Sequence, residues 1–173
     1  MKLLNIVFVA ILCLSACAPQ TQNVTMTEEE VSIALPDKIE KVVKSEDEWK
    51  AELSDNEYYV IREKGTERSF TGDLWDNKEE GIYTCRACQL PLFTSTTKFK
   101  SGTGWPSYYQ PITKEYIEED SDNLLGYTRT EVLCARCDGH LGHVFNDGPA
   151  PTGLRYCINS ASLDFVKEKL NDK

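Results

Sequence analysis

The spacing of apolar and polar positions divides the chain into an apolar leader, a polar stretch and a longer body. Residues 3–16 are almost continuously apolar or small, whereas residues 18–44 are polar without a sustained period. In the body, "SEDEWKAEL" and "SDNEYYVIRE" each place a serine three positions before a glutamate. This is the capping-box spacing found where helices begin. The pattern predicts two short helices, starting near Ser45 and Ser54.

After Gly65 the pattern changes to short segments of β-branched and aromatic residues. "GIYTC", "EVLCARC", "HVFND" and "LRYCINSA" are separated by glycine, proline and aspartate, which is typical of strands and turns. The last segment, "SLDFVKEK", fits either a closing strand or a helical turn. We therefore predict a mainly β fold in which short N-terminal helices precede an antiparallel body.

The apolar leader has the features of an export signal. Its run of about 14 residues is shorter than the roughly 20 needed to span a bilayer, and Lys2 precedes it. The residues Leu14 to Cys17 read "LSAC", which resembles a bacterial lipobox; a plain signal peptide is the alternative. The lipobox implies a signal peptide over residues 1–16, a lipid on Cys17, and a flexible tether over residues 17–44, of which "VSIALPDKI" could dock on the body.

A lipidated Cys17 would anchor the protein to a membrane through several acyl chains. No aspartate follows this cysteine, since residue 18 is Ala18. We therefore expect an exported protein that is lipid-anchored to the cell envelope, at the outer membrane facing the periplasm in a host with two membranes. An outer-surface location in a host with one membrane is the alternative.

The net charge and the length of the chain limit what kind of protein the body can be. The formal net charge is −9 at pH 7, from 19 basic and 28 acidic residues, and loss of Lys2 with the leader gives 18 − 28 = −10. A nucleic-acid-binding protein normally carries a basic face, so no nucleic acid partner is expected. Removal of residues 1–16 leaves a length typical of one domain plus a tail. We expect that domain over residues 45–173, as a monomer.

Four cysteines form two C-x-x-C pairs, Cys85 with Cys88 and Cys134 with Cys137. Two such pairs suit a closed tetrahedral Zn²⁺ site with a structural role, because four thiolates leave no position for water. Two disulfides in an oxidising compartment are one alternative. A redox-active pair is another, although no βαβ pattern surrounds either pair. The wide separation of the pairs predicts that each ends a different hairpin of one larger sheet.

Cys157 has no cysteine close to it in sequence. Alternation along a strand would place Arg155, Cys157 and Asn159 on one face, with Tyr156 and Ile158 on the other. A guanidinium, a thiol and an amide in line differ from a core face, and a nearby cation is expected to lower the pKa of the thiol. The alternative is a buried structural thiol.

Two further features add candidate chemistry. His140 and His143, the two histidines of the chain, lie together in "GHLGHVF". Histidine can move protons near neutral pH, while metal binding or a structural role is the alternative. Trp105 lies in the Gly/Pro turn "SGTGWPSY", where its ring could form the wall of a ligand site or pack in the core.

Taken in order, the two C-x-x-C pairs, "SGTGWPSY", "GHLGHVFNDGP" and "GLRYCINSASLDF" resemble the B-type peptide methionine (R)-S-oxide reductases over residues 45–173. The resemblance implies two antiparallel β-sheets, a structural Zn²⁺ and reduction of methionine R-sulfoxide in oxidised proteins or peptides. It also implies roles for single residues: the nucleophile is Cys157, the groups that bind and polarise the sulfoxide oxygen are His140, His143 and Asn159, the indole against the S-methyl group is Trp105, and a supporting residue near the thiolate is Arg155.

The implied reaction converts Cys157 to a sulfenic acid when the thiolate attacks the sulfoxide sulfur. Many relatives carry a resolving cysteine at the position of Thr103, and this chain does not. We therefore expect an external thiol, such as a thioredoxin-like protein, to regenerate Cys157 during repair of oxidised envelope proteins. Two other functions remain open on the residues alone. One is a non-catalytic zinc-stabilised module that binds oxidised peptides, and the other is a thiol–disulfide oxidoreductase that uses a C-x-x-C pair.

Overall fold

The computed structural model describes residues 35–36, 38–123 and 126–168. The predicted signal peptide, the lipid site at Cys17 and most of the predicted tether lie outside the described residues. Within the described part of the chain, no helix has both the length and the apolar character needed to cross a membrane.

The two predicted helices are present and begin where their capping boxes place them. Helix α1 runs over Glu46–Glu52 and helix α2 over Asp55–Ile61. In each, the serine hydroxyl accepts the N–H of the third helical residue, whose carboxylate accepts the serine N–H in return. Helices this short depend on tertiary packing. Trp49 of α1, which is 1% exposed, provides it.

Among the described residues, eight strands form two antiparallel sheets, which confirms the predicted mainly β class. The strands are β1 Gly81–Cys85, β2 Pro91–Thr94, β3 Ser107–Tyr108, β4 Ile117–Asp122, β5 Arg129–Cys134, β6 His140–Phe145, β7 Arg155–Ile158 and β8 Leu163–Lys167. The smaller sheet has the order β2-β1-β8, and the larger has the order β3-β7-β6-β5-β4. The segment "SLDFVKEK" therefore contributes a strand rather than a helical turn.

Aromatic rings from both sheets meet in the core. Tyr108 of β3 stacks on Phe93 of β2 with ring centroids 4.3 Å apart, and its ring lies edge-on to Tyr83 of β1 at 5.2 Å. Tyr156 of β7 lies 6.0 Å from Phe93. Pairs of this kind contribute about 0.5–1.5 kcal/mol beyond burial of their area. The apolar face of the larger sheet is thereby fixed against the smaller sheet.

The register of the larger sheet brings polar residues together on the face away from these rings. Residues paired directly across an antiparallel sheet share a face, with Cβ atoms about 4.5–5.5 Å apart. One continuous row of such pairs crosses all five strands and consists of Ser107, Cys157, His143, Glu131 and Asp120. This row places the isolated thiol beside a histidine from a different strand.

The described end of the predicted tether lies against the body. The Val42 N–H donates to the Arg136 carbonyl at 2.7 Å, and the Tyr116 hydroxyl donates to the Pro36 carbonyl at 2.9 Å. Ile39 packs on the core. The described residues of "VSIALPDKI", 35–36 and 38–39, thus include contacts with the body of the kind that the sequence left open, and the rest of that segment lies outside the described residues.

Candidate active site and metal centre

The two C-x-x-C pairs have the same local backbone structure. Cys85 ends β1 and Cys134 ends β5, and a tight turn follows each of them. Both cysteines donate their N–H to the carbonyl five positions later and accept the N–H four positions later, at 2.8–2.9 Å. Gln89 and Asp138, which follow the second cysteines, both have φ near +58°. The turns therefore direct both sulfurs of each pair towards one point.

The four sulfurs converge on one another, all within 4.8 Å. The Sγ atoms of Cys85 and Cys137 are 3.7 Å apart, and those of Cys88 and Cys134 are 3.5 Å apart. Tetrahedral Zn²⁺ with Zn–S bonds of about 2.3 Å holds its sulfurs about 3.8 Å apart, whereas a disulfide needs about 2.05 Å. All four are free thiols. The cluster therefore fits the predicted Zn²⁺ rather than disulfides.

The position of the cluster corrects one expectation. The two pairs do not end hairpins of one larger sheet, because β1 lies in the smaller sheet and β5 in the larger. The sequence separation of the pairs carried no information about sheet membership. A metal ion held by all four cysteines would link the two sheets at one edge of the core.

Cys157 lies half-buried in the polar row, between Ser107 and His143. The Thr103 hydroxyl oxygen is 3.8 Å from its sulfur, and Ser107 is its neighbour on β3. Burial raises the pKa of the Cys157 thiol, and the opposing effects of Thr103, Arg155 and Ser107 do not overcome it. Arg155 lowers the pKa of the thiol, as expected of a nearby cation, but removal from water outweighs this effect and the net shift is upward.

Arg155 is on the same strand face as Cys157 and is held by a carboxylate. Its Nε and Nη2 atoms donate to both oxygens of Asp147 at 2.8 and 2.9 Å. Its guanidinium also lies 4.4 Å from the centre of the Phe145 ring. A bidentate pair fixes the plane of the guanidinium. Two of the five N–H donors of Arg155 thus serve Asp147, and its charge acts on the Cys157 thiol.

Each histidine is bound to a carboxylate through a different ring nitrogen. Nδ1 of His140 is 2.7 Å from Glu131, and Nε2 of His143 is 2.7 Å from Asp122. The two imidazoles lie edge to face with centroids 5.3 Å apart. Burial lowers the pKa of both histidines more than their carboxylate partners raise it. Both rings therefore begin neutral near pH 7 and can accept a proton.

Trp105 and Asn159 are both fixed by the backbone of Glu67. The Trp105 indole N–H donates to the Glu67 carbonyl at 3.1 Å. The Asn159 amide oxygen accepts the Glu67 N–H at 3.1 Å, and its nitrogen donates to the Leu141 carbonyl at 3.0 Å. Asn159 is 3% exposed and follows the end of β7. Its side-chain amide thus links the backbone of Glu67 to that of Leu141, and these two bonds use only one of its two N–H groups.

The Glu67 side chain completes this connection. Its carboxylate accepts the N–H groups of Ser160 and Ala161 at 2.7 and 2.9 Å, just after the strand that carries the thiol. Glu67, Glu131 and Asp122 were absent from the residues predicted from sequence. Nothing local in the sequence marks Glu67, whose partners Asn159, Ser160 and Ala161 lie more than 90 positions away.

The site thus presents one thiol, two neutral imidazoles and a guanidinium on one side of the larger sheet. A thiol beside proton-carrying imidazoles is an arrangement for nucleophilic chemistry coupled to proton transfer. Trp105 lies two positions before Ser107, the residue opposite Cys157, and its indole is fixed by Glu67. The four-cysteine cluster lies at the ends of β1 and β5, away from the row that contains Cys157.

Comparison with known proteins matches this architecture to one domain family. The SelR domain covers residues 53–167. A peptide methionine sulfoxide reductase MsrB from Leptospira interrogans is 56% identical over 128 residues, which are 74% of this chain and 98% of that protein. Proteins of the same name from Methanosarcina mazei and Acinetobacter baylyi are 57% and 54% identical, over 75% and 77% of this chain and 92% and 96% of their own lengths.

Proposed function

This chain belongs to the MsrB family of peptide methionine sulfoxide reductases, and we propose that it reduces peptide-bound methionine R-sulfoxide through a sulfenic acid on Cys157. The observation that carries the proposal is the register of the larger sheet, which sets Cys157 directly opposite His143. Thr103 and Arg155 complete the surroundings of the sulfur. The half-buried thiol, the imidazole and the indole are the parts that this chemistry needs.

The first step is attack by Cys157. The raised pKa means that the resting sulfur carries a proton, which an imidazole accepts as the substrate enters. The thiolate forms a bond to the electrophilic sulfoxide sulfur, and a proton is delivered to the sulfoxide oxygen, which is a poor leaving group without it. The S–O bond and the new bond between the two sulfurs then break as the oxygen passes to Cys157 as a hydroxyl group, and methionine leaves. Methionine is reduced by two electrons, and Cys157 is oxidised by two electrons to Cys–SOH.

The fixed indole supports selection of one epimer. Trp105 is held by Glu67, so its ring offers a fixed apolar surface to the S-methyl group, while the histidines fix the position of oxygen. A tetrahedral sulfur with its methyl, oxygen and chain positions set in this way fits one configuration. Each sulfoxide epimer requires its own type of reductase.

Regeneration of Cys157 requires an external thiol. The resolving position holds Thr103, whose hydroxyl oxygen is 3.8 Å from the Cys157 sulfur and cannot form a disulfide. A first thiol condenses with Cys–SOH to release water and leave a mixed disulfide. A second thiol then releases Cys157 as the thiol and forms the oxidised reductant. We propose a dithiol protein of the thioredoxin type as this reductant.

The four-cysteine cluster is proposed to hold a structural Zn²⁺. The hydrogen bond to Cys134, followed by those to the other two thiols, raises the pKa of Cys85. A divalent cation reverses this preference and stabilises four thiolates. When bound, the ion supplies a link between the sheets and takes no part in the redox step.

The proposed location is the cell envelope, through a lipid on Cys17. The support is the "LSAC" sequence after an apolar leader. Repair of oxidised envelope proteins would follow from that location. Release of a Cys17→Ala variant from the membrane fraction of a bacterial host would support the anchor, and unchanged membrane association would refute it.

The reaction is tested with peptides that carry defined R or S methionine sulfoxide and an excess of a small dithiol. We expect the zinc-loaded protein to reduce the R epimer alone and the Cys157→Ser variant to reduce neither. Reduction of the S epimer at a comparable rate would refute the proposed selectivity. Turnover by Cys157→Ser would refute the nucleophile.

A further inference from the structure

The two histidines present opposite nitrogens to their carboxylate partners. An ionised carboxylate only accepts hydrogen bonds, so the ring nitrogen facing it must carry the hydrogen. For His140 that nitrogen is Nδ1, which faces Glu131, and for His143 it is Nε2, which faces Asp122. In the neutral state the two rings are therefore opposite tautomers. The nitrogen that carries no hydrogen, and can accept a proton, is Nε2 in His140 and Nδ1 in His143.

Glu131 has the surroundings of an ionised group although it is buried. Its second oxygen accepts from the Lys64 ammonium at 2.8 Å, and its side chain is 3% exposed while that of Lys64 is 57% exposed. A buried carboxylate is tolerated when its oxygens are hydrogen-bonded and a cation is paired with it, and both conditions are met here. Glu131 also belongs to the polar row, one strand away from His143 and two strands away from Cys157.

The remaining nitrogen of His140 is buried without a partner. Its Nε2 atom makes no hydrogen bond to any residue that the structure describes, and it has almost no exposed surface. Leaving a buried polar atom unsatisfied costs about 1–3 kcal/mol. The His140 ring lies 5.3 Å from the ring of His143, the residue opposite Cys157, so a polar group of a ligand held at the thiol is a candidate partner for this nitrogen.

We propose that Glu131, with Lys64, is a positioning residue that holds His140 in the Nδ1–H tautomer and so reserves its Nε2 atom for proton exchange with the sulfoxide oxygen. The inference rests on the proposed reduction at Cys157. In the reaction, Nε2 takes up a proton and delivers it to the oxygen. The carboxylate stabilises the transient imidazolium, which a neutral amide of the same shape would not do.

The charges around His140 agree in sign with this role. Glu131 raises the pKa of His140 against the effect of burial, while His143 and Lys64 lower it. Asp122 and Arg129 act on the neighbouring ring of His143. Removal of the Glu131 charge would thus make the imidazolium harder to form.

The direct test is the tautomer of each ring, read from the ¹⁵N shifts and two-bond ¹H–¹⁵N couplings of the zinc-loaded wild-type protein. The chain has two histidines, so the spectrum contains two side-chain systems. We expect one Nδ1–H ring and one Nε2–H ring, assigned to His140 and His143 by single replacement. A His140 ring in the Nε2–H form would overturn the proposal without any activity measurement.

The kinetic test compares Glu131→Gln with a matched control. Glu118 is also bound by a lysine, Lys41 at 2.9 Å, but its side chain is 50% exposed. We expect Glu131→Gln to lower kcat for the R-sulfoxide by about 10- to 100-fold with little change in KM, because positioned acid–base groups contribute about 10²–10⁴ in rate. Glu118→Gln should match the wild type.

Two further variants keep the result interpretable. Glu131→Asp should retain more of kcat than Glu131→Gln, because it keeps the charge. Lys64→Gln, at an exposed position, should reduce kcat by a few fold and leave the fold intact. If Glu131→Gln does not fold, the wild-type tautomers and the Lys64→Gln rate decide the question. Wild-type kcat in a folded Glu131→Gln protein would refute the positioning role, whereas an inactive wild type would refute the proposed function instead.

Discussion

Replacing Thr103 with cysteine should change how the enzyme is regenerated. The Thr103 hydroxyl oxygen is 3.8 Å from the Cys157 sulfur, and Gly102 and Gly104 on either side have φ of +78° and +87°. The loop therefore already turns its residue 103 side chain towards the nucleophile. In Thr103→Cys, the sulfenic acid formed by one turnover should be attacked by the new thiol, releasing water and leaving an internal disulfide.

The size of the effect follows from the loop that the disulfide closes. The two positions are 54 residues apart. Closing a loop of this length lowers the entropy of the unfolded chain by an amount worth about 4 kcal/mol at 25 °C. With a urea m-value of about 2 kcal/mol/M, the unfolding midpoint should rise by about 2 M after turnover.

The assay adds one equivalent of R-sulfoxide peptide to reduced, zinc-loaded Thr103→Cys without a reductant, then measures urea unfolding before and after a dithiol. The matched control is Thr103→Cys with Cys157→Ser, which has the new thiol but no nucleophile. We expect the midpoint to rise in the single variant alone and to return when the disulfide is reduced. No rise, with methionine formed, would refute the inferred approach of residue 103 to the sulfur.

Three other perturbations have defined outcomes. Trp105→Phe loses the hydrogen bond to Glu67, worth about 1 kcal/mol, so kcat/KM for the R epimer should fall about 5- to 10-fold, and an unchanged value would argue against a fixed indole. Cys88→Ser should lose most bound zinc by elemental analysis and several kcal/mol of unfolding free energy, whereas retained zinc would contradict the four-cysteine site. The rate of Cys157 alkylation should rise as the pH passes through the raised pKa of the thiol. In Arg155→Gln this rise should occur at still higher pH, because a cation that favours the thiolate has been removed. A shift of the rise to lower pH would contradict the inferred effect of Arg155.

Local signals in the sequence predicted the elements well. The helix starts at Ser45 and Ser54 depend on residues three positions apart, and both capping boxes are present. The C-x-x-C turns are equally local, because each closes on its own carbonyl and N–H groups. Features of this kind depend only on residues within a few positions of one another, so they can be predicted from the local sequence.

Features that depend on strand register or burial could not be predicted in the same way. The pairing of Cys157 with His143 requires that β6 and β7 be neighbours and that they pair in one particular register. The direction of the Cys157 pKa shift requires the balance between burial and Arg155, which only the packed structure gives. Glu67 contacts the site from a loop that precedes β1, and no spacing in the sequence predicts this contact.

The central claim is that one thiol, Cys157, takes the oxygen from methionine sulfoxide and keeps it until an external thiol arrives. The most direct measurement is mass analysis of the wild-type protein after reaction with R-sulfoxide peptide in the absence of reductant. We expect one methionine to form per protein molecule, and one oxygen atom to be added to Cys157, where a reagent for sulfenic acids traps it. Methionine formation with an unmodified Cys157, or with Cys157 joined to another cysteine of the same chain, would contradict it.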